Sequence, residues 1–116
     1  MFRINSAKFS GHSGQHYTFY AYSIDHRFEK TGAVYAITRR YRNSRGGSSH
    51  HILYVDQTDD LSSILTNHHK WDCFIRQRAN CLCTHVDPDQ GSRWQKADDL
   101  IRKYHPECND SQPHTR

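Results

Sequence analysis

Two segments that we predict to be strands each carry a tyrosine, and this pair is the first candidate for chemistry. The motif "AVY" of the first segment ends at Tyr35, whereas the motif "YVD" of the second begins at Tyr54 and reaches Asp56. Phenol and carboxylate groups donate and accept protons, so they support acid–base or hydrolytic chemistry when a fold brings them together. The loop between the segments predicts a hairpin that pairs the two strands.

The motif "CLCTH" places three soft metal ligands, Cys81, Cys83 and His85, at alternate positions of a predicted strand. Alternate residues face the same side of a strand, and zinc binds such ligands, with Cys73 or Cys108 available to complete the set. The sequence has no CxxC pair, and a strand face of this composition is more often small core packing. We therefore expect buried thiols rather than a zinc site, and reduced cysteines rather than disulfides.

The loop between the two tyrosine segments is rich in arginine. The stretch "RRYRNSR" combines four arginines with a tyrosine, and "NHHK" adds a further cation later in the chain. Arginine beside an aromatic residue suits a nucleic-acid backbone. A solvated loop and a basic helix C-terminus explain the same residues without a ligand. The candidate nucleic-acid contacts are Arg39, Arg40, Arg42, Arg45 and Lys70.

The overall charge of the chain is mildly basic. Lysine and arginine exceed aspartate and glutamate by 16 − 12 = 4, and the sequence pI is about 9.0. This balance favours an anionic partner, and the histidines add positive charge below about pH 6.5. The sequence has no apolar run of membrane-spanning length, and its first residues lack the apolar core of a signal peptide. We therefore expect a cytoplasmic protein without membrane contact.

The order of predicted elements indicates an α+β fold. We expect strands around Phe9 and over 15–24, 33–41, 52–58 and 80–86, and helices over 58–70, 71–79 and 92–105. Ser92 is the predicted cap of the last helix, whose apolar stripe is Trp94, Ala97, Ile101 and Tyr104. A chain of this length forms one domain, over 1–110, with an N-terminal β extension (1–31), a core (32–109) and a polar tail (111–116).

Three stretches, in this order, resemble the GIY-YIG endonuclease superfamily. "AVY" (33–35) stands at the first motif, "YVD" (54–56) at the second, and "DLIRKYHPECN" (99–109) at the closing helix and terminal asparagine. Other stretches, such as "NHHK", "DCF" and "ANCLCTH", look similar to a group of short bacterial single-domain members. The resemblance covers residues 9–109. It implies a small antiparallel sheet with flanking helices, here preceded by an extra N-terminal β-hairpin.

The resemblance also implies the chemistry of a DNA endonuclease that uses one divalent metal ion. In that family the first tyrosine helps to activate the attacking water, and the second tyrosine borders the same site. An arginine on the first helix steadies the phosphate charge, and a glutamate on the last helix holds the metal. Carried over by position, the remnant catalytic residues are Tyr35, Tyr54 and His68, and Asn109 matches the terminal asparagine.

The departures from the family pattern fall on residues that hydrolysis needs. The motif glycines are replaced by Ala33 and Asp56, the first-helix arginine falls on Ile64, and the metal-binding glutamate falls on Ala97. Isoleucine cannot hold a phosphate and alanine cannot bind a metal, and both continue the apolar stripes of their predicted helices. The resemblance therefore implies a degenerate site without a bound metal, lined by Asp56, Ile64, Ala97 and Asn109.

Three functions remain open on the sequence. We favour a pseudoenzyme that binds DNA or another phosphate-bearing ligand without cleaving it. The alternative is a protein-interaction module, such as an inhibitor, decoy or immunity-type partner. The third is an active endonuclease in which Asp56 and histidines hold Mg²⁺ or Mn²⁺. The competing interpretation of Asp56 is a cap for the helix that follows it.

Overall fold

The computed structural model describes residues 5–109 and has the α+β fold that the sequence predicts, whereas the predicted tail over 111–116 lies outside the described residues. The five strands are β1 (Asn5–Ser10), β2 (His16–Ser23), β3 (Ala33–Arg42), β4 (Ser48–Thr58) and β5 (Cys81–Val86). The helical elements are a 3₁₀ turn (Leu61–Ser63), α1 (Trp71–Arg76) and α2 (Gln90–Tyr104). Neither of the two described α-helices is long and apolar enough to cross a membrane.

All five strands pair antiparallel in one sheet, in the order β1-β2-β5-β3-β4. The N-terminal hairpin joins this sheet because β2 pairs with β5. The sheet curls, so that Phe9 on the first strand reaches His50 on the last strand, with 5.8 Å between ring centroids. Strands β3 and β4 pair along almost their whole length, and the predicted loop over 42–51 is therefore reduced to 43–47.

The residues of β3 alternate between two core clusters, one on each face of the sheet. Val34 and Ala36 pack with Leu100 of α2 on one face, whereas Tyr35 and Ile37 pack with α1 on the other. Successive side chains of a strand point to opposite faces, and β3 is covered on both faces, so nearly every position must be apolar. We call these two surfaces the α2 face and the tyrosine face.

Helix α2 begins earlier than predicted. Ala97, Ile101 and Tyr104 of its predicted apolar stripe pack against the core of the α2 face. The N-cap of the helix is Asp89, whose carboxylate accepts from the amide of Ser92, so Ser92 lies inside the first turn and is not the cap. Trp94 of the predicted stripe is exposed. The guanidinium of Arg93 is buried instead, because it donates to the backbone oxygen of Asp87 at 3.1 Å. The buried residues of this helix are Arg93, Ala97 and Leu100.

The predicted helix over 58–70 is absent, and a short 3₁₀ turn takes its place. The carboxylate of Asp60 accepts from both the amide and the hydroxyl of Ser62. Short polar side chains that bond the local backbone compete with the helical hydrogen-bond ladder. Asn67 then adopts a left-handed φ of 54°, which a continuing helix does not allow. The apolar residues of the pattern, such as Ile64, nevertheless pack against the tyrosine face.

The expectation that all cysteines are reduced is wrong for one pair. Cys73 and Cys108 form a disulfide across 35 positions of sequence, whereas Cys81 and Cys83 are free and buried. The bridge forms because the chain returns past β4 after α2, where the Cys108 amide donates to the backbone oxygen of Leu53 at 2.8 Å. It ties α1 to the outer edge of the sheet and covers an edge strand.

Removing the disulfide should destabilise the tyrosine face. We expect Cys108→Ser to lower the free energy of unfolding by about 2–4 kcal/mol, because the unfolded chain is no longer cross-linked. Urea unfolding followed by circular dichroism measures this change. Reductant should lower the midpoint of the wild type but not that of the variant. A wild-type midpoint that ignores reductant would contradict the prediction.

Candidate functional site

A β-bulge brings the second tyrosine onto the face of the first. The register between β3 and β4 shifts after Ile37, which leaves Leu53 of β4 without a partner on β3. A bulge redirects the side chains of its strand, and Leu53 and Tyr54 consequently both pack on the tyrosine face with Tyr35. The two phenol rings lie 6.1 Å apart between centroids. Adjacent strands thus hold both phenols in one place.

The two phenols form a chain with an imidazole at one end and a carboxylate at the other. The amide of Lys70 donates to His68 Nδ1 at 3.0 Å, so the neutral imidazole carries its proton on Nε2. His68 Nε2 lies 3.0 Å from the Tyr35 hydroxyl, and the Tyr35 ring lies beside that of Tyr54. The Tyr54 hydroxyl donates to Asp56 Oδ2 at 3.0 Å. Both hydrogen bonds of the chain therefore donate in the direction of Asp56.

Burial keeps this chain uncharged between His68 and Tyr54 at neutral pH. Burial raises the pKa of Tyr35 and that of Tyr54 far above the ordinary value of 10.0, and the charge of Asp56 raises both further. Burial also lowers the pKa of His68 below 6.5, and the neighbouring His69 lowers it again. The Nε2 proton that faces Tyr35 prevents neutral His68 from acting as a base towards that phenol.

The outer wall of the chain is aromatic. His68 stacks on His69 with 4.7 Å between ring centroids. Tyr54 meets His68 edge-on at 5.1 Å, and Phe74 of α1 lies 4.9 Å from the same imidazole. These contacts bury one side of His68 and leave His69 exposed. Of the two adjacent histidines, His68 therefore packs within the fold, and His69 lies on its surface.

The four residues predicted to line the remnant site lie in different environments. Asp56 belongs to the hydrogen-bonded chain, and Ile64 packs against the tyrosine face. Asn109 donates to the backbone oxygen of Val55 and accepts from its amide, both at 2.9 Å, so it secures the edge of β4. Ala97 is buried on the α2 face. The sheet therefore separates position 97 from the phenols.

The donor set around Asp56 does not fit a Mg²⁺ or Mn²⁺ site. Its Oδ2 accepts from Tyr54, and its Oδ1 accepts from the amide of Gln57 at 2.7 Å. These hard ions prefer several oxygen ligands, chiefly carboxylates. Within residues 5–109, Asp56 belongs to no cluster of three His, Cys, Asp or Glu side chains. Asp56 is not a helix cap either, because Asp60 caps the turn that follows.

The five predicted nucleic-acid contacts do not form one surface. Arg39 projects on the tyrosine face, where its Nη1 donates to the backbone oxygen at the end of α1 at 3.0 Å. Lys70 lies at the start of α1 on the same face. Arg40, the next residue of β3, lies on the opposite α2 face. Arg42 and Arg45 are exposed at the end of the hairpin. Of the five predicted contacts, Arg39 and Lys70 therefore lie on the tyrosine face.

Two basic residues beside Lys70 are not among the nucleic-acid contacts that the sequence predicts. His69 and Arg76 join Lys70 in lining a cleft of about 340 Å³ next to the disulfide, together with the acidic Asp72 and Glu107. The amphipathic pattern of α1 predicts that Arg76 is exposed. It does not predict which surface Arg76 borders, because the disulfide and the returning C-terminal chain define the opposite wall of the cleft.

A second group of chemistry-bearing residues lies on the α2 face. His50, Cys81 and Cys83 each offer one ligand atom, and these atoms lie within 4.8 Å of one another. His85, which the sequence suggested as the third ligand, is not part of this group. Its Nδ1 hydrogen-bonds to the backbone oxygen of Thr18 at 2.9 Å. The spacing "CLC" correctly indicated the two thiols. The histidine comes from another strand and could only be found from the strand order.

Comparisons of the chain with protein-family models, with curated proteins and with solved structures find no match. The resemblance to GIY-YIG endonucleases therefore rests on the motifs and their order in the sequence. A function for this domain has to be inferred from the side chains that the fold brings together, above all from the phenol–imidazole chain and the cleft beside it.

The lowered pKa of His68 predicts a pH-dependent contribution to stability. The folded state binds a proton at His68 less readily than the unfolded chain, so the free energy of unfolding should fall as the pH drops below 6.5. His68→Gln, which keeps a donor near Tyr35, should weaken this fall and cost about 1 kcal/mol at higher pH. Urea unfolding over a pH series measures both effects.

The matched control is His16→Gln, which removes an exposed histidine from β2 and should leave the fall at low pH in place. Parallel profiles for the wild type and His68→Gln would show that His68 does not titrate differently on folding, and the prediction would then be wrong.

Proposed function

We propose that the chain is a nuclease-like domain of the GIY-YIG type that binds nucleic acid, or another phosphate-bearing ligand, without cleaving it and without a divalent metal ion. The observation that carries the proposal is the chain from His68 through Tyr35 and Tyr54 to Asp56, adjacent to a cleft that contains Lys70. The paired phenols with Lys70 beside them support this proposal, and Ile64 and Ala97 stand where the family pattern has its arginine and its glutamate.

Space and chemistry for a ligand are both present along the tyrosine face. A cavity of about 570 Å³ opens beside the partly exposed Trp71. A neighbouring cavity of about 450 Å³ is lined by Trp71 and His68. Aromatic rings at the edge of a cavity allow bases to stack on them, and Lys70 and Arg76 attract phosphate groups from the adjacent cleft. This combination supports a nucleic-acid ligand.

The groups that the phenols contact support binding without cleavage. Phosphodiester hydrolysis needs a base for the attacking water and positive charge near the phosphate in the transition state. Tyr35 accepts from His68 and does not give up its proton to it. The position where the family has an arginine is the apolar Ile64. Asp56 adds negative charge close to any phosphate that reached the phenols.

Fluorescence anisotropy with labelled single-stranded and duplex DNA tests this proposal. We expect saturable binding that weakens linearly in a plot of log affinity against log salt. The double variant Lys70→Ala/Arg76→Ala should lose at least about tenfold in affinity and lower the salt slope by about 2. The matched control is Arg42→Ala/Arg45→Ala, which removes the same charge from the exposed hairpin and should lose less.

The control separates a defined binding face from general attraction. Equal losses in both double variants would mean that the chain attracts DNA without using the tyrosine face. A loss in the hairpin variant alone would move the binding surface to the hairpin. No binding by the wild type at low salt would remove nucleic acid as the ligand. Mg²⁺- or Mn²⁺-dependent cleavage that Tyr35→Phe abolishes would overturn the non-cleaving assignment.

A protein-interaction module is a second candidate, favoured by apolar side chains on the outside of α1. Trp71 and Ile75 lie four residues apart on one face of this helix and are 39% and 62% exposed. Light scattering during size exclusion tests this function. A stable wild-type dimer that Ile75→Glu converts to a monomer, combined with no affinity for DNA, would favour it over nucleic-acid binding.

A further inference from the structure

The α2 face contains a compact group of polar side chains inside an otherwise apolar core. Cys81 and Cys83 occupy alternate positions of β5 and are fully buried, and Thr38 of β3 lies opposite Cys81. His50 reaches the same place from β4. Its Nδ1 lies 2.9 Å from Thr38 Oγ1 and 3.9 Å from Cys83 Sγ. Three adjacent strands therefore contribute to one cluster.

This cluster contains polar atoms that the described residues do not satisfy. His50 Nε2 and Arg40 Nε are both buried and have no hydrogen-bond partner within residues 5–109. The two residues lie directly opposite each other on β4 and β3. A buried polar atom without a partner costs about 1–3 kcal/mol. The guanidinium of Arg40 has no lone pair to offer a metal ion, whereas the imidazole of His50 has one and directs its Nδ1 towards Cys83 Sγ.

We propose that His50, Cys81 and Cys83 bind a thiophilic metal ion, with Zn²⁺ as the preferred ion. Thiolate sulfur and imidazole nitrogen are the ligands that Zn²⁺ selects, at about 2.3 Å and 2.1 Å. Ligand atoms of such a tetrahedral site lie roughly 3.5–4 Å apart. The three ligand atoms lie within 4.8 Å of one another, so they need to approach by about 1 Å at most to reach this geometry. Three protein ligands leave the fourth position to a water molecule.

The complete burial of both thiols indicates an ion that is taken up during folding. The ligands come together only when β3, β4 and β5 pair, so binding and folding are coupled. Each thiol releases its proton on binding, and two thiolates with a neutral imidazole balance the charge of Zn²⁺. The ion would then link three adjacent strands.

Refolding the full chain from denaturant with ZnCl₂, without reductant, tests this site. After dialysis against metal-free buffer, we expect one zinc ion per chain by mass spectrometry of the metal. We also expect a Tm several degrees above that of the chain refolded without metal. Refolding with Co²⁺ should produce sulfur-to-cobalt charge-transfer absorption. Because Cys73 and Cys108 are held in a disulfide, this absorption reports on Cys81 and Cys83.

Variants distinguish this cluster from the set of ligands that the sequence alone suggests. His50→Ala and Cys81→Ser should lose the retained zinc, whereas His85→Ala should keep it. Equal retention of zinc by the wild type, His50→Ala and Cys81→Ser would overturn the proposal, because surface histidines would then hold the ion. A folded wild type without cobalt–sulfur absorption would also overturn it. That measurement needs no variant, so it stands even where a substitution prevents folding.

Discussion

The pairing of β3 with a strand on each of its edges determines where both groups of chemistry-bearing residues lie. Side chains of β3 alternate, so Tyr35 points to the tyrosine face and Thr38 to the α2 face. A slip of one residue would exchange the two sets. The unpaired Leu53 changes this alternation once, on β4. Before it, His50 points to the α2 face, and after it Tyr54 points to the tyrosine face, so one strand serves both groups.

The direction of the hydrogen bonds limits the chemistry of the tyrosine face more than the identity of its residues does. A phenol beside an imidazole suggests a base and its proton donor. The tight turn after Asn67, which has a left-handed φ of 54°, brings the Lys70 amide onto His68 Nδ1 and fixes the proton on Nε2. The backbone therefore sets the tautomer. A cation introduced at Ile64 would therefore not by itself supply a base for Tyr35.

The strands could be predicted because their signal is local, whereas the other elements depend on competing or distant interactions. Alternating and β-branched residues mark β2 through β5 whatever surrounds them. The helix expected over 58–70 fails because Asp60 bonds the nearby Ser62, a competition that apolar periodicity does not register. The pairing of the tyrosines follows from the hairpin. The contribution of His50 to the thiol cluster depends on the strand order, which local sequence does not encode. The position of Ala97 on the α2 face likewise depends on how α2 packs against the sheet.

The cysteines occupy two chemical states because the sheet constrains one pair and not the other. Cys73 and Cys108 lie on separate segments that meet with 5.7 Å between their Cα atoms, a spacing that suits a disulfide. Cys81 and Cys83 lie on a single strand that pairs on both edges, and strand geometry keeps their Cα atoms about 6.6 Å apart. This separation is near the upper end of the usual range for a disulfide, and both thiols are free and buried. The same three strands hold the two thiols and the imidazole of His50 with their ligand atoms within 4.8 Å of one another.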